Sequence, residues 1–402
     1  MFSSIPPLGL YIHLPWCERK CPYCDFNSYQ ADASIPEQAY VDALLNDLEQ
    51  DLPLVWGRSI DSIFIGGGTP SLFSAAAIDR LFSGLRALLN FAPAIEVTLE
   101  SNPGSAETAN YAGYREAGIN RLSIGVQSFD DRQLDNLGRV HDAAQALQAV
   151  TSARAAGFDN INLDLMFALP GQSLAEAQAD LTQAIALGPE HISFYQLTIE
   201  PNTLFHSKPP RYLPDNDLCA EQQSRGQALL ASKGYQQYEV SAYCRQGRES
   251  QHNLNYWNFG DYLGIGAGAH GKITLAGENR VIRRIRQRQP RTYLEQAGHD
   301  SIISETELGA ADLCFEFMLN VLRLKHGFDS NLFHENTGLA LNQLLPGVET
   351  ARSKGLLEFN GNKIKPTELG FSHLNDLQAI FLELGPAKKK PFFDSAQKIM
   401  HN

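Results

Sequence analysis

The stretch 11-YIHLPWCERKCPYCDFNSY-29 joins a β-rich apolar run to three cysteines, Cys17, Cys21 and Cys24, spaced C-x3-C-x2-C. On a continuous helix these positions would share a face, but Pro22 lies between them and argues against a helix interior. The spacing therefore predicts a loop wrapped around a metal. Three thiolates with no local fourth suit a cubane iron–sulfur cluster with one iron left open to a ligand. Spacing alone leaves two other readings open, a zinc site completed by a distant histidine and a cluster of thiols that holds nothing.

Working outward, strand-like runs alternate with amphipathic helical runs from residue 8 to about 245. LGLYIHL (8–14) is the first strand, and PEQAYVDALLNDLEQDL (36–52) carries apolar residues at helical spacing. SIDSIFIGGG reads as a buried strand, and SAAAIDRLFSGLRALL follows as a helix with Ser74 as its N-cap. AIEVTLESNP, RLSIGVQSF, NINLDLMFALPG and HISFYQLTIEP repeat the pattern, and QQYEVSAY (236–243) reads as one further strand. Six βα units in series predict a parallel sheet curled toward a barrel, a partial (β/α)6 TIM-like fold over residues 1–285. Residues 286–402 form the second expected domain, helical and winged-helix-like. Within it, ETELGAADLCFEFMLNVLRL (305–324) reads as one long helix, and GLLEFNGNKIKPTELG as a hairpin about Asn360-Gly361 followed by a helix.

Five of the six strands end in unusual residues: the cysteine loop, GGGTP, ESNPG, GVQSF and LDLMFALPG. Parallel α/β barrels carry their ligand sites at the carboxyl ends of the strands, so these segments are expected to converge on one mouth.

Composition narrows the partners. A formal net charge of −12 does not point to nucleic acid. No apolar run is long enough to cross a membrane, and the N-terminus lacks the features of a signal peptide. Six cysteines in 402 residues do not read as a secreted disulfide scaffold, and a cytoplasmic, reducing location is expected. Cys219, Cys244 and Cys314 are scattered and read as small buried hydrophobes.

CERKCPYCDF after the first strand and GGGTP after the second together resemble the radical S-adenosylmethionine (SAM) superfamily. The resemblance implies a 4Fe-4S cluster on Cys17, Cys21 and Cys24, with SAM completing the fourth iron and giving rise to a 5'-deoxyadenosyl radical. It further implies that Gly67, Gly68 and Thr69 bind the amino-acid end of SAM and that Arg139 pairs with its carboxylate. Glu100, Gln127 and Asp164 are implied for its amine or ribose, and Tyr11 as another contact. YIHLPWCERKCPYCDF, GVQSFDDRQLDNLGRVH, NLDLMFALPGQ and HNLNYW are similar, more narrowly, to the group that contains oxygen-independent coproporphyrinogen III oxidase and the HemW heme chaperones. In the oxidase a further cysteine stands where this chain has Phe26, and a long extension precedes the cluster, where this chain has only 16 residues before Cys17. Both departures favour the chaperone over the oxidase, which stays as the alternative.

HNLNYW (252–257) is associated in the chaperone group with heme, so the resemblance implies His252 as an iron ligand, with Tyr256 and Trp257 as an apolar wall. His270 and His13 are rivals for the iron. The partners implied are heme and a heme-acceptor protein, one of the respiratory chain being a candidate, with an unidentified electron donor and room for peripheral membrane association. RVIRRIRQRQPR (280–291), with six arginines, admits a solvated strand face, a rim for porphyrin propionates, or nucleic acid. AKKKP (387–391) reads as a solvated tail.

Overall fold

The computed structural model describes residue 2 and residues 4–31 and 34–382, apart from the side chains of residues 105 and 106. AKKKP lies outside the described residues. Six strands each followed by helical chain form the main body: β1 (Leu8–Leu14), β2 (Ser59–Gly67), β3 (Asn90–Ser101), β4 (Arg121–Gln127), β5 (Ile161–Phe167) and β6 (His191–Gln196). They pair in that order, all parallel. Period-2 alternation explains their faces. Leu8, Leu10, Ile12 and Leu14 of β1 are fully buried in the large core with Ile63 and Ile65 of β2 and Leu122 and Ile124 of β4. The helices that close this core are α1 (Glu37–Asp51), α2 (Ala75–Leu88), α3 (Tyr111–Ala117), α4 (Ala143–Ala155), α5 (Leu174–Ala186) and α6 (Asn216–Ser232). Their starts are set by local chemistry: Ser74 caps α2, and Asp142 with Gln145 and Ser173 with Glu176 form capping boxes on α4 and α5.

The other face of the sheet carries Gly9, Tyr11 and His13, Ser62 and Phe64, Glu96 and Glu100, and Asn162 and Asp164. The sheet curls around it. Past β6, the Phe205 N–H donates to the Pro22 carbonyl in the loop after β1 at 2.9 Å, which ties the two flanks together over the mouth.

The structure alters several expectations. QQYEVSAY is not one strand: Gln236–Gln237 and β7 (Ala242–Cys244) are two short antiparallel pieces at the edge beside β6. A seventh parallel strand, β8 (Asp261–Ile265), lies on the opposite side of β1. From β8 the sheet continues antiparallel through β9 (His270–Leu275), β10 (Arg280–Arg286) and β11 (Ile302–Glu307), 12 strands in an open order. The helix expected over 305–324 is split, because Glu305–Glu307 pair with β10 and Gly309 caps the helix α8 (Ala310–Val321). Most arginines of β10 are bound internally: Arg283 to Glu316, Arg284 to Asp51 and Glu305, and Arg286, 1 % exposed, to Asp47 and Asp51. Arg280 pairs at the surface with Glu278 and Glu307, and Arg288 and Arg291 beyond the strand are exposed. Cys219, Cys244 and Cys314 are buried, as expected.

A second hydrophobic core gathers α8, a three-stranded sheet and short helices from Leu308 onward, together with Phe259 and Val281 of the main body. The hairpin Leu357–Asn360 and Lys363–Pro366 pairs Asn360 with Lys363, so its turn is Gly361-Asn362, one residue beyond the expected pair.

Candidate functional site

The cysteine loop leaves β1 where the parallel sheet ends. Cys17 is buried and Cys21 and Cys24 half-buried, with the Cys24 N–H donating to the Cys21 carbonyl at 3.1 Å. Burial pushes up the Cys17 thiol, opposed by hydrogen bonds from Thr69 and Ser28. Burial likewise raises Cys24, to about 11, opposed by the Phe26 backbone and Ser28. Each senses another cysteine's charge, so the thiols share one space.

The glycines after β2 come up against this loop. The Gly68 and Thr69 N–H groups donate to the Leu14 and Trp16 carbonyls at 2.8 and 2.7 Å. A Cβ on Gly68 would lie 2.5 Å from the Trp16 carbonyl oxygen, and Gly67 sits at φ +121° against the His13 ring. Only glycine permits this approach. Thr69 accepts from Asn102 Nδ2 at 3.2 Å. Arg139 donates to Asn102 Oδ1 at 2.6 Å, to the Gly125 carbonyl at 3.0 Å and to Cys21 Sγ at 3.5 Å. A polar circuit thus runs from Cys17 through Thr69, Asn102 and Arg139 to Cys21. Arg139 Nε is buried without a partner.

Beneath the circuit lies a carboxyl pair. Glu100 accepts from the Gly67 N–H at 3.2 Å. Burial, then the charge of Asp164, raises Glu100 to about 8, while that N–H pulls the other way. Burial also raises Asp164, against hydrogen bonds from Ser193, Asn162 and Ser123. Gln127, at φ +69°, accepts from the Tyr195 hydroxyl at 2.6 Å. The strand ends therefore bring together Cys17, Cys21, Cys24, Gly67, Gly68, Thr69, Glu100, Gln127, Arg139 and Asp164, the residues singled out in the sequence. Asn102 and Tyr195 escaped that reading. ESNPG marked the first as a strand-end position, and the second stands on the inward period of HISFYQ.

On the other side of the cysteine loop a cleft of about 210 Å3 opens between residues 25–29, β1, β8 and β9. Tyr11 and His13 line it from β1. His13 is 2 % exposed, and its ring nitrogens meet the Tyr11 hydroxyl and the Asn27 carbonyl, each at 2.9 Å. Burial lowers it to about 4, keeping the ring neutral. Of HNLNYW, on helix α7 (Gln251–Trp257), Tyr256 alone reaches the cleft. His252 does not. It is 1 % exposed, bonded through Nδ1 to Ser62 Oγ at 2.9 Å and held between Phe64 and Tyr256. Trp257 is buried on the far side, under the guanidinium of Arg323.

Among the described residues, no helix is long and apolar enough to cross a membrane. No group of three His, Cys, Asp or Glu among them is placed to hold a single metal ion. A cubane distributes three thiolates over three irons.

Comparison with known proteins agrees with this geometry. Residues 11–184 match the family model of the radical SAM superfamily, and residues 308–373 match the HemN C-terminal domain. Among solved structures, coproporphyrinogen III oxidase (HemN) from Escherichia coli superposes with a TM-score of 0.79 over 94 % of this chain and 90 % of that one, at 23 % identity. At that identity the match speaks for the fold: a radical SAM α/β sheet with an appended C-terminal domain. Heme chaperone HemW from Escherichia coli K12 is 47 % identical over 94 % of this chain and 99 % of its own length. Those from Haemophilus influenzae and Bacillus subtilis are 46 % and 34 % identical over 94 % and 92 % of the chain, and 99 % and 98 % of theirs. The chain belongs to the HemW heme chaperone family.

Proposed function

We propose that this chain binds heme and hands it to an acceptor protein, one of the respiratory chain being our expectation, and that it works with a 4Fe-4S cluster and SAM. The observation that carries the reading is the circuit Cys17–Thr69–Asn102–Arg139–Cys21. It places a three-thiol loop, a glycine cradle and a carboxyl pair on one mouth, in a chain similar end to end to heme chaperones.

The residues present fit both cofactors. Cys17, Cys21 and Cys24 would hold the cluster, and an Arg139 N–H is already directed at Cys21 Sγ. SAM carries a carboxylate, an ammonium, a sulfonium and ribose hydroxyls. The orphaned Arg139 Nε suits its carboxylate, and Gly67, Gly68 and Thr69 suit its amino-acid end. Glu100 and Asp164 offer carboxyl oxygens for its cationic groups and ribose, with Gln127 beside them and Tyr11 at the edge. Cluster and SAM together supply one-electron chemistry. The protein's part is to hold the loop rigid and keep water from it. For the domain division we propose a boundary near Leu308, after β11 ends and where the match to the HemN C-terminal domain starts, with Phe259 and Val281 reaching across into the second core.

The test is anaerobic. The cluster is reconstituted and the sample divided, one half titrated with heme and followed at the Soret band. The other half is given SAM, reductant and coproporphyrinogen III. The expected result is stoichiometric heme binding with no protoporphyrinogen IX. Turnover to protoporphyrinogen IX and carbon dioxide would make the chain an oxidase, despite Phe26.

A further inference from the structure

Asp164 looks into the mouth from β5, half-buried, and a ladder of neutral polar groups holds it from below. Asn162 stands two residues earlier on the same inward period. Its Nδ2 donates to Asp164 Oδ1 at 2.7 Å and to Ser123 Oγ at 2.8 Å. Its Oδ1 accepts from Ser193 Oγ at 3.1 Å and lies 2.6 Å from His191 Nδ1. His191 Nε2 in turn lies 2.9 Å from the Tyr238 hydroxyl, which accepts from the Ser250 N–H at 3.4 Å. Ser123, Asn162, His191 and Tyr238 are all buried.

The direction of every bond can be followed upward from that backbone group. The Ser250 N–H only donates, so the Tyr238 oxygen accepts and its proton points on to His191 Nε2. Burial holds the His191 pKa well below the usual histidine value, so the ring is neutral and carries its proton on Nδ1. That proton goes to Asn162 Oδ1, and the amide therefore turns Nδ2 toward Ser123 and Asp164. An amide NH2 only donates, so Ser123 Oγ accepts from it and sends its own proton to Asp164 Oδ2, at 3.1 Å. Both oxygens of Asp164 thus receive a donor from below. A carboxylate has about four acceptor sites, and the hydrogen bonds from Ser193, Asn162 and Ser123 leave it capacity for a further donor arriving from the mouth. An apolar filling would have held these strands without specifying any direction, whereas this ladder specifies one and ends it at the site.

We propose that Asn162 is a positioning residue for SAM: the ladder Tyr238–His191–Asn162–Ser123 fixes Asp164 as the acceptor of a ribose hydroxyl. The assignment rests on the SAM reading above, and the experiment separates the two. Full-length, cluster-reconstituted protein is titrated calorimetrically with SAM and with its analogue lacking the ribose 2' and 3' hydroxyls. Asp164→Asn is expected to weaken SAM binding; unchanged affinity would overturn the SAM reading at this carboxyl and the proposal with it. Asn162→Leu is expected to weaken SAM binding about tenfold, with affinity for the analogue and iron and sulfide per chain as in wild type. Added to Asp164→Asn, it is expected to cost nothing more, because the two residues act as a unit. SAM affinity that falls in Asp164→Asn but not in Asn162→Leu would overturn the positioning role alone, and so would equal losses for SAM and the analogue in Asn162→Leu. A further measurement needs no variant. Nitrogen NMR of wild-type protein labelled at histidine is expected to show His191 neutral with its proton on Nδ1; a proton on Nε2 would reverse the ladder and overturn the proposal.

Discussion

Glu100 sets the site against the stability of the empty protein, and the conflict can be measured. Its carboxyl is buried in the mouth beside Asp164, and burial followed by that neighbour's charge holds its pKa near 8, against 4.5 for the exposed group. A carboxyl raised on folding binds its proton more tightly in the folded state. Its neutral form is accommodated at low pH, and folding loses stability as pH rises from 4.5 toward 8. Integrated over that window, the penalty is about 1 kcal/mol at pH 5 and about 5 kcal/mol at pH 9. Glu100→Gln keeps the shape of the protonated acid and abolishes the titration. In urea unfolding without SAM, variant and wild type should differ little at pH 5, and the variant should be the more stable by several kcal/mol at pH 9. SAM affinity should move the other way. A bound cation favours the ionised carboxyl, so wild-type affinity should rise as pH passes through about 8, and the variant should lose that rise. A stability gap that is the same at pH 5 and pH 9 would refute the assigned ionisation.

Three further outcomes follow from the geometry. Cys21→Ala should abolish cluster assembly, seen as loss of iron and sulfide per chain after reconstitution. Gly68→Ala puts a methyl 2.5 Å from the Trp16 carbonyl oxygen and must displace the loop backbone, so it should cost about 1–3 kcal/mol in unfolding experiments and lower cluster content in parallel. Asp261, fully buried between Lys272 at 2.9 Å and Arg58 at 2.8 Å, neutralises two cations; Asp261→Asn should destabilise the sheet by about 3–5 kcal/mol, measured by urea midpoint.

The alternating strands and helices were legible because each strand carries branched apolar residues on one face and a polar segment at its end. The cysteine spacing, the glycine run and the mouth residues could be read for the same reason: they are local. β8 was not legible. DYLGIGAGAH is rich in glycine and looks like loop, yet Gly264 is there because the His270 carbonyl passes within 1.8 Å of where a Cβ would stand. That closeness is a property of the folded sheet. The split of the 305–324 helix has the same origin. Glu305 and Glu307 suit a helix by propensity, but pairing with β10 and the cap at Gly309 override it. HNLNYW was legible as a motif, while the direction each side chain takes was not, since burial of His252 depends on Ser62 and Phe64, some 190 residues earlier.

The lower half of the curled sheet explains why so buried a histidine belongs there. The inward residues at that level are polar where an apolar filling would have held the strands more cheaply, and they are joined by hydrogen bonds and an ion pair, though His252 Nε2 is buried without a partner. His191 bridges Asn162 at 2.6 Å and the Tyr238 hydroxyl at 2.9 Å. Glu96 faces Arg121 at 4.0 Å and accepts from the Ser250 hydroxyl and the His252 N–H. Buried polar groups cost free energy unless paired, but their pairing is directional in a way that apolar contact is not. Here the direction matters. The network grips the first turn of α7 through Ser250 and His252, and the last turn then carries Tyr256 to the cleft wall against Tyr262. His252 is thus a positioning residue. It fixes how the helix is rotated, and through Tyr256 it fixes the width of the cleft above. The motif histidine thereby acts on the cleft through Tyr256 while its own ring stays buried against Ser62 and Phe64.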